Sequence, residues 1–219
     1  MKIVVDGLSK TIKNKTVLRD ISISFRSGEI YGIIGKNGSG KTMLLRALSG
    51  LIIPTKGQIY IDNKVLHRDI EFPPNVGVLI EKPSFLEYLT GFDNLKLLAD
   101  INKIISDDVI IRLMMKYSLD PYSSQRVKEY SLGMKQKLGI IQAIMEQPDI
   151  LILDEPTNGL DTQSTNILKN ELKQFAHENK LIIVTSHIMD DIGSLCSQIY
   201  TIDNGTINAC KTRNQPLQK

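Results

Sequence analysis

The run Gly35-Lys36-Asn37-Gly38-Ser39-Gly40-Lys41-Thr42 has the spacing G-x-x-x-x-G-K-[ST], a pattern suited to holding phosphate. Glycines let successive backbone N–H groups converge on phosphate oxygens with no Cβ in the way. A helix starting near Lys41 would aim its positive end at the same oxygens. In that setting Lys41 reaches the β- and γ-phosphates of a nucleoside triphosphate and the Thr42 hydroxyl ligates Mg²⁺. A second pattern lies downstream, where the apolar run Ile150-Leu151-Ile152-Leu153 ends in Asp154-Glu155. Beside a phosphate loop, the first carboxylate is placed to orient Mg²⁺ and its waters, and the second to polarise an attacking water. On its own the same pair reads equally well as a solvated strand end, so its meaning comes from the loop.

The elements that must position these groups show in the hydrophobic pattern. Residues 30–34, 150–153 and 181–184 are continuous apolar runs, as parallel strands covered on both faces require. Helical periodicity over 42–49, with Gly50 as its cap, and over 162–175 places helices between them. Strands alternating with helices predict an α/β core with a mostly parallel sheet. The N-terminal pattern differs. Ile21, Ile23 and Phe25 alternate with Ser22 and Ser24, and residues 2–5 and 58–62 also read as strands, with Asp62-Asn63 as a turn. These predict an antiparallel N-terminal β-subdomain. From 83 to 146 only helices are expected, at 94–105, at 107–117 with Ser106 as cap, and at 135–147 before Pro148. The organisation this gives is a core of 1–82 and 147–210, a helical subdomain of 83–146 inserted into it, and a loose polar tail from 211 to 219. Asn204-Gly205 marks a type I′ hairpin turn near the end of the core.

Composition narrows the classes. The chain has 219 residues, 42% hydrophobic and 23% charged, with a net charge of +3, which excludes a disordered or fibrous protein. The longest stretch without a charge is residues 192–202, whereas a membrane span takes about 20 residues. No cleavable signal pattern is visible at the start. Cys196 and Cys210 fit no metal or disulfide framework, and a reducing compartment is the default. The mild charge gives no reason to expect a nucleic-acid partner.

Four further segments fall in order around the two motifs: Ile80-Glu81-Lys82-Pro83, Tyr130-Ser131-Leu132-Gly133-Met134-Lys135-Gln136-Lys137, Pro156-Thr157-Asn158-Gly159-Leu160-Asp161 and Thr185-Ser186-His187. With them the chain resembles the nucleotide-binding subunit of ABC transporters, a phosphate-loop (P-loop) NTPase fold, from about residue 2 to 209. The resemblance implies an ATPase that binds ATP and Mg²⁺. Its nucleotide contacts would be residues 35–43 (Gly35, Lys36, Asn37, Gly38, Ser39, Gly40, Lys41, Thr42 and Met43). Its metal site would be Thr42, Asp154 and Glu81, the last at the family's Mg²⁺-sensing glutamine position. Glu155 would be the general base, and His187 would contact the γ-phosphate. Two copies would pair head to tail around two ATP molecules, with Ser131 and Gly133 reaching the partner's γ-phosphate and Asp161 linking the sites. Transmembrane permease subunits would supply the transport pathway. The chain would then lie peripherally on the cytoplasmic face of the membrane and power transport, on this resemblance export, as of a peptide antibiotic. A soluble ATPase of the same family serving ribosomes or nucleic acid, or a regulatory or assembly ATPase, stays open beside this reading.

The sequence departs from the family pattern at several points. No aromatic residue occupies 8–13, where one usually stacks on adenine, and Ile12 reads either as an apolar substitute or as a core residue. Glu81 replaces the amide, a feature resembling the lantibiotic export and immunity branch. Leu132 and Met134 replace the usual glycine and glutamine. Met43 stands at a common threonine position and reads as packing.

Overall fold

A computed structural model of the chain describes residues 1–212. It opens with a long hairpin of β1 (Lys2–Ile12) and β2 (Lys15–Arg26), followed by β3 (Ile30–Ile34), α1 (Lys41–Leu48), β4 (Lys56–Ile61), β5 (Lys64–Val65) and β6 (Val76–Leu79). The helical stretch is α2 (Gly91–Asn102), α3 (Asp107–Lys116), a single 3₁₀ turn at Val127–Glu129, and α4 (Leu132–Ile144). The core then resumes with β7 (Ile150–Leu153), α5 (Thr162–His177), β8 (Leu181–Ser186), the one-turn α6 (Met189–Ile192), β9 (Gln198–Asp203) and β10 (Thr206–Thr212). Among the described residues, no strand stands between β6 and β7, and the one β-type pairing there is an isolated bridge of Thr90 to Arg126.

Two sheets result. The smaller one has the order β2-β1-β4-β5 and is antiparallel throughout. The larger has the order β10-β9-β3-β8-β7-β6, parallel except for the terminal β9–β10 hairpin. Alternation along the central strands sends side chains to opposite faces. Ile150 and Ile152 pack with the antiparallel sheet and α1, whereas Leu151 and Leu153 pack with α4 and α5. The large sheet therefore carries a core on each face, which is why its strands read as unbroken apolar runs.

Boundaries differ from the sequence pattern where special backbone intervenes. β1 runs seven residues past the expected stretch, because register shifts between Val5 and Leu8, and again near Lys10, break its alternation without ending the strand. α2 starts three residues early, where Thr90 Oγ1 accepts the Asp93 N–H at 3.1 Å, and stops at Lys103 in a left-handed conformation (φ 58°). α4 also starts early, at Leu132, since Ser131 caps it and Gly133 is tolerated in its first turn. Ser106 occupies the N-cap position of α3 but makes no capping bond with its side chain. The Asn204-Gly205 turn has φ of 48° and 78°, as a type I′ turn demands. β10 continues to Thr212, so the loose tail expected from 211 does not begin there. The rest of that tail, residues 213–219, lies outside the described residues.

Ahead of β7, Asp149 accepts from Lys180 Nζ at 2.6 Å and from Asn75 Nδ2 at 3.0 Å. The Lys180 bond first, then that of Asn75, holds its carboxyl below the usual range. A depressed carboxyl stabilises the fold above its unfolded pKa, and the contribution is lost as pH falls through the folded value. Lys180→Met is therefore expected to lower stability by no more than about 1 kcal/mol near neutral pH, Asp149 being partly solvated. The difference from the parent should shrink below about pH 4, which urea melts at the two pH values will show.

Candidate functional site

The site lies where β3, β7 and β8 end side by side, at the carboxyl edge of the parallel strands, as in other open α/β sheets. The loop from β3 to α1 forms its floor. Gly38 and Gly40 take φ of 79° and 114°, and a Cβ on Gly35 would overlap the Ile202 carbonyl and the Ser39 hydroxyl. The hairpin turn between β9 and β10 braces this loop. Gly205 N–H donates to Ser39 O at 2.8 Å, and Arg19 N–H of β2 donates to Gly205 O at 2.8 Å.

Lys41 is only 5% exposed. Its Nζ donates to Gly35 O at 2.7 Å and to Lys36 O at 3.3 Å, and stands 3.2 Å from Glu155 Oε1. Thr42 Oγ1 donates to Asp154 Oδ2 at 2.6 Å, and Thr185 Oγ1 donates to Asp154 Oδ1 at 2.6 Å. Both oxygens of this 8% exposed carboxylate are thus fixed by hydroxyls from neighbouring elements. Glu155 sits two residues beyond the end of β7 in a left-handed conformation (φ 45°), with its N–H donating to Thr185 Oγ1 at 2.8 Å. A non-glycine residue there stores strain, a condition that concentrates at working sites.

The Glu155 carboxylate has two more neighbours. Asn158 Nδ2 donates to Oε2 at 2.6 Å, and His187 Nδ1 lies 3.0 Å from the same oxygen. Burial pushes its pKa up, but hydrogen bonds from Asn158 and Lys41 and the charges of Lys41 and His187 outweigh burial and leave it below the ordinary value. It is therefore an anion at neutral pH, able to accept a proton.

A cavity of about 300 Å³ beside the loop is lined by Lys41, Thr42, Met43 and Glu155 on one side and by Lys15, Val17 and Arg19 on the other. Its lining includes no aromatic side chain and no Ile12. Ile12 is 40% exposed at the mouth of the first hairpin, so it is not a core residue. Val17 gives the β2 side of the lining an apolar side chain. Met43 lines the cavity while also packing on the core beneath, which joins its two expected roles.

A second cleft, about 350 Å³, runs from Thr42, Asp154 and Glu155 to Glu81 and Leu132. Glu81 takes a left-handed backbone (φ 61°), and its Oε2 accepts from Arg46 Nη2 at 2.8 Å. Among the described residues no three His, Cys, Asp or Glu side chains gather into a metal cage. A hydroxyl, one fixed carboxylate and a nearby second one instead suit a hard cation that keeps phosphate and water oxygens in its shell, as Mg²⁺ does.

Ser131, Gly133 and Asp161 line neither cavity. Ser131 caps α4 by accepting the Met134 N–H at 3.2 Å, and Asp161 caps α5 by accepting the Ser164 N–H at 2.7 Å. Lys137 Nζ, 2.7 Å from Asp161 Oδ2, is the first cause that holds this carboxyl well below its usual range, ahead of the Ser164 N–H. A Cβ on Gly133 would come within 2.7 Å of Gly159 O, so the two segments are in close approach. Gln136 fastens the same region from inside, Nε2 donating to Pro156 O at 3.2 Å. Thr185, Asn158, Lys137 and Gln136 lie in segments that the sequence singled out, but no spacing rule assigned them these contacts.

A strand-edge phosphate loop with a hydroxyl-fixed Asp and a Glu–His pair defines a nucleotide-dependent P-loop enzyme. Residues 18–158 match the family described as ABC transporter. The ABC transporter ATP-binding protein YybJ of Bacillus subtilis is 48% identical over 205 residues, covering 94% of each chain. The lantibiotic transport ATP-binding protein SrtF of Streptococcus pyogenes is 33% identical over 204 residues, covering 93% of this chain and 87% of its own. A solved ATP-binding subunit of an ABC transporter superposes with a TM-score of 0.87 at 27% identity, over 97% of this chain and 90% of that one. The chain belongs to the ABC transporter family, as an ATP-binding, ATP-hydrolysing subunit. Among the described residues no helix is long and apolar enough to cross a membrane.

Proposed function

We propose that the chain powers export of a peptide antibiotic through separate membrane-spanning subunits, working as a homodimer on the cytoplasmic face of the membrane. The observation that carries the catalytic part is the Lys41–Glu155–His187 cluster beside the Thr42–Asp154–Thr185 chain, all at one strand edge. The cargo rests on the relative named for lantibiotic transport and on Glu81.

Backbone N–H groups of residues 35–43 would take the phosphates, and Lys41 would exchange its bonds to Gly35 O and Glu155 for β- and γ-phosphate oxygens. Mg²⁺, held by Thr42 and Asp154 with Glu81 nearby, would supply charge neutralisation of the β- and γ-phosphates. Glu155, released from Lys41, would accept a proton from water as the water oxygen bonds the γ-phosphorus and the bond to the β-phosphate oxygen breaks. ADP is then the leaving group. His187 would hold the transferring group, its ring oriented by Glu155. Ser131 and Gly133 line neither cavity of their own chain, which fits service to a nucleotide bound by a second copy, with Asp161 at the junction.

The chain purified from detergent-solubilised membranes of cells that make it is expected to bring down a polytopic membrane protein and to hydrolyse ATP only with a divalent cation. Recovery of no membrane protein, with turnover stimulated by ribosomes or DNA instead, would replace the transport reading.

A further inference from the structure

Glu81 differs chemically from the amide usual at its position. Three carboxylates, Glu81, Asp154 and Glu155, face one cleft that must also receive a polyanion. Two of them are held from within the site, Asp154 by the hydroxyls of Thr42 and Thr185 and Glu155 by Lys41. The third is held from outside it. Arg46, on the last turn of α1, donates from Nη2 to Glu81 Oε2 at 2.8 Å, and the two side chains are 35% and 56% exposed. Lys82 lines the same cleft, and no other side-chain bond to Glu81 is formed among the described residues. α1 begins at the phosphate loop, so the helix that presents Lys41 and Thr42 at one end presents Arg46 to Glu81 at the other.

We propose that Arg46 is a positioning residue for Glu81. Its guanidinium cancels the charge that the Gln-to-Glu difference introduces, and it keeps the carboxylate at the rim until a divalent cation draws it in. An uncharged amide would need no such counter-charge, whereas an unpaired carboxylate would repel nucleotide phosphate in the absence of metal and favour it in the presence of metal. This proposal rests on the reading that Glu81 faces the metal.

The test is equilibrium binding of a fluorescent ATP analogue to the full chain at low ionic strength, with EDTA and with Mn²⁺, for the parent, Arg46→Met, Glu81→Gln and the double variant. Thermal melts check that each is folded. In EDTA, Arg46→Met is expected to bind roughly 3- to 10-fold more weakly, an effect of one partly screened charge. With Mn²⁺ it should bind as well as the parent or better. Glu81→Gln should remove the difference, so that the double variant matches Glu81→Gln alone under both conditions. A loss in Arg46→Met that is equal with and without Mn²⁺, or that persists in the double variant, overturns the proposal and marks Arg46 as packing for α1. If Glu81→Gln leaves the Mn²⁺ dependence of the parent unchanged, the metal-facing reading of Glu81 falls too.

Discussion

Glu155→Gln is expected to cut ATP turnover by about 10²- to 10⁴-fold, the range for losing a positioned general base, while leaving ATP bound. The substitution keeps the size of the side chain and its place beside Asn158 and His187, 2.6 Å and 3.0 Å from Oε2 in the parent. It removes only the charge and the proton-accepting oxygen. Without that charge, Lys41 loses the ion pair at 3.2 Å and keeps its bonds to the loop carbonyls, so binding of the triphosphate should hold or tighten. Because hydrolysis would reopen the proposed dimer, the variant should elute as a dimer with ATP and as a monomer with ADP, as light scattering on a sizing column will report. The parent enzyme adds a pH signature. Its Glu155 carboxyl lies below the ordinary value, so it stays ionised as pH falls through the usual carboxylate range. The acid limb of kcat/KM, which reports the free enzyme, is therefore expected below that range. Normal turnover by Glu155→Gln would remove Glu155 from the role of base.

Much of this site was legible because phosphate chemistry constrains sequence locally. A loop that presents backbone N–H groups needs glycine at fixed offsets, and Gly35, Gly38 and Gly40 show this without any tertiary knowledge. A strand buried on both faces must be apolar throughout, so Ile150–Leu153 announced both the central sheet and the carboxylates at its end. What could not be read was the set of contacts between distant segments. Thr185 is thirty-one residues from Asp154, yet it fixes one carboxylate oxygen and the Glu155 N–H. Nothing local to Thr185 distinguishes it from any threonine near a strand end. The same holds for Val17 and Arg19, which reach the nucleotide cavity only because the β9–β10 turn ties β2 to the phosphate loop. The core alternative for Ile12 failed for a related reason. An apolar residue near a strand end suits a core, while the bulged register of β1 and β2 places Ile12 at the exposed end of the hairpin. Glu81 was found by position, but its Arg46 partner lies on another element, where sequence spacing carries no information.

Gly77→Ala is expected to be the most damaging substitution outside the site, because it forces apart two elements that meet through glycine. Gly77 lies in β6, buried under α4, and a Cβ there would overlap the Ala143 carbonyl and come within 2.8 Å of Pro148 Cγ. One obstacle is backbone and the other a rigid ring, so neither yields by changing rotamer. The helix is also close-packed at a second point, where a Cβ on Gly139 would lie 2.8 Å from Pro83 Cβ and 2.9 Å from Leu79 Cδ1. Relief at Gly77 therefore means lifting α4 off the sheet, with loss of the apolar contacts of Leu138, Ile141 and Ile144 beneath it. Overpacking of this kind typically costs 1–3 kcal/mol, and a backbone obstacle places this case at about 3 kcal/mol or above. For a chain of this size that corresponds to a fall of roughly 6–12 °C in Tm. The functional consequence should be selective. The phosphate loop stands on β3 and α1, across the sheet from the displaced helix, so the variant kept cold should still bind a fluorescent ATP analogue. α4 carries Ser131 and Gly133 at its start and Gln136 against Pro156 O, so ATP turnover should fall well beyond any loss of binding. A Tm and a turnover both equal to the parent's would show that α4 slides on β6 without cost, and that the position of the Ser131 segment is not set by this contact.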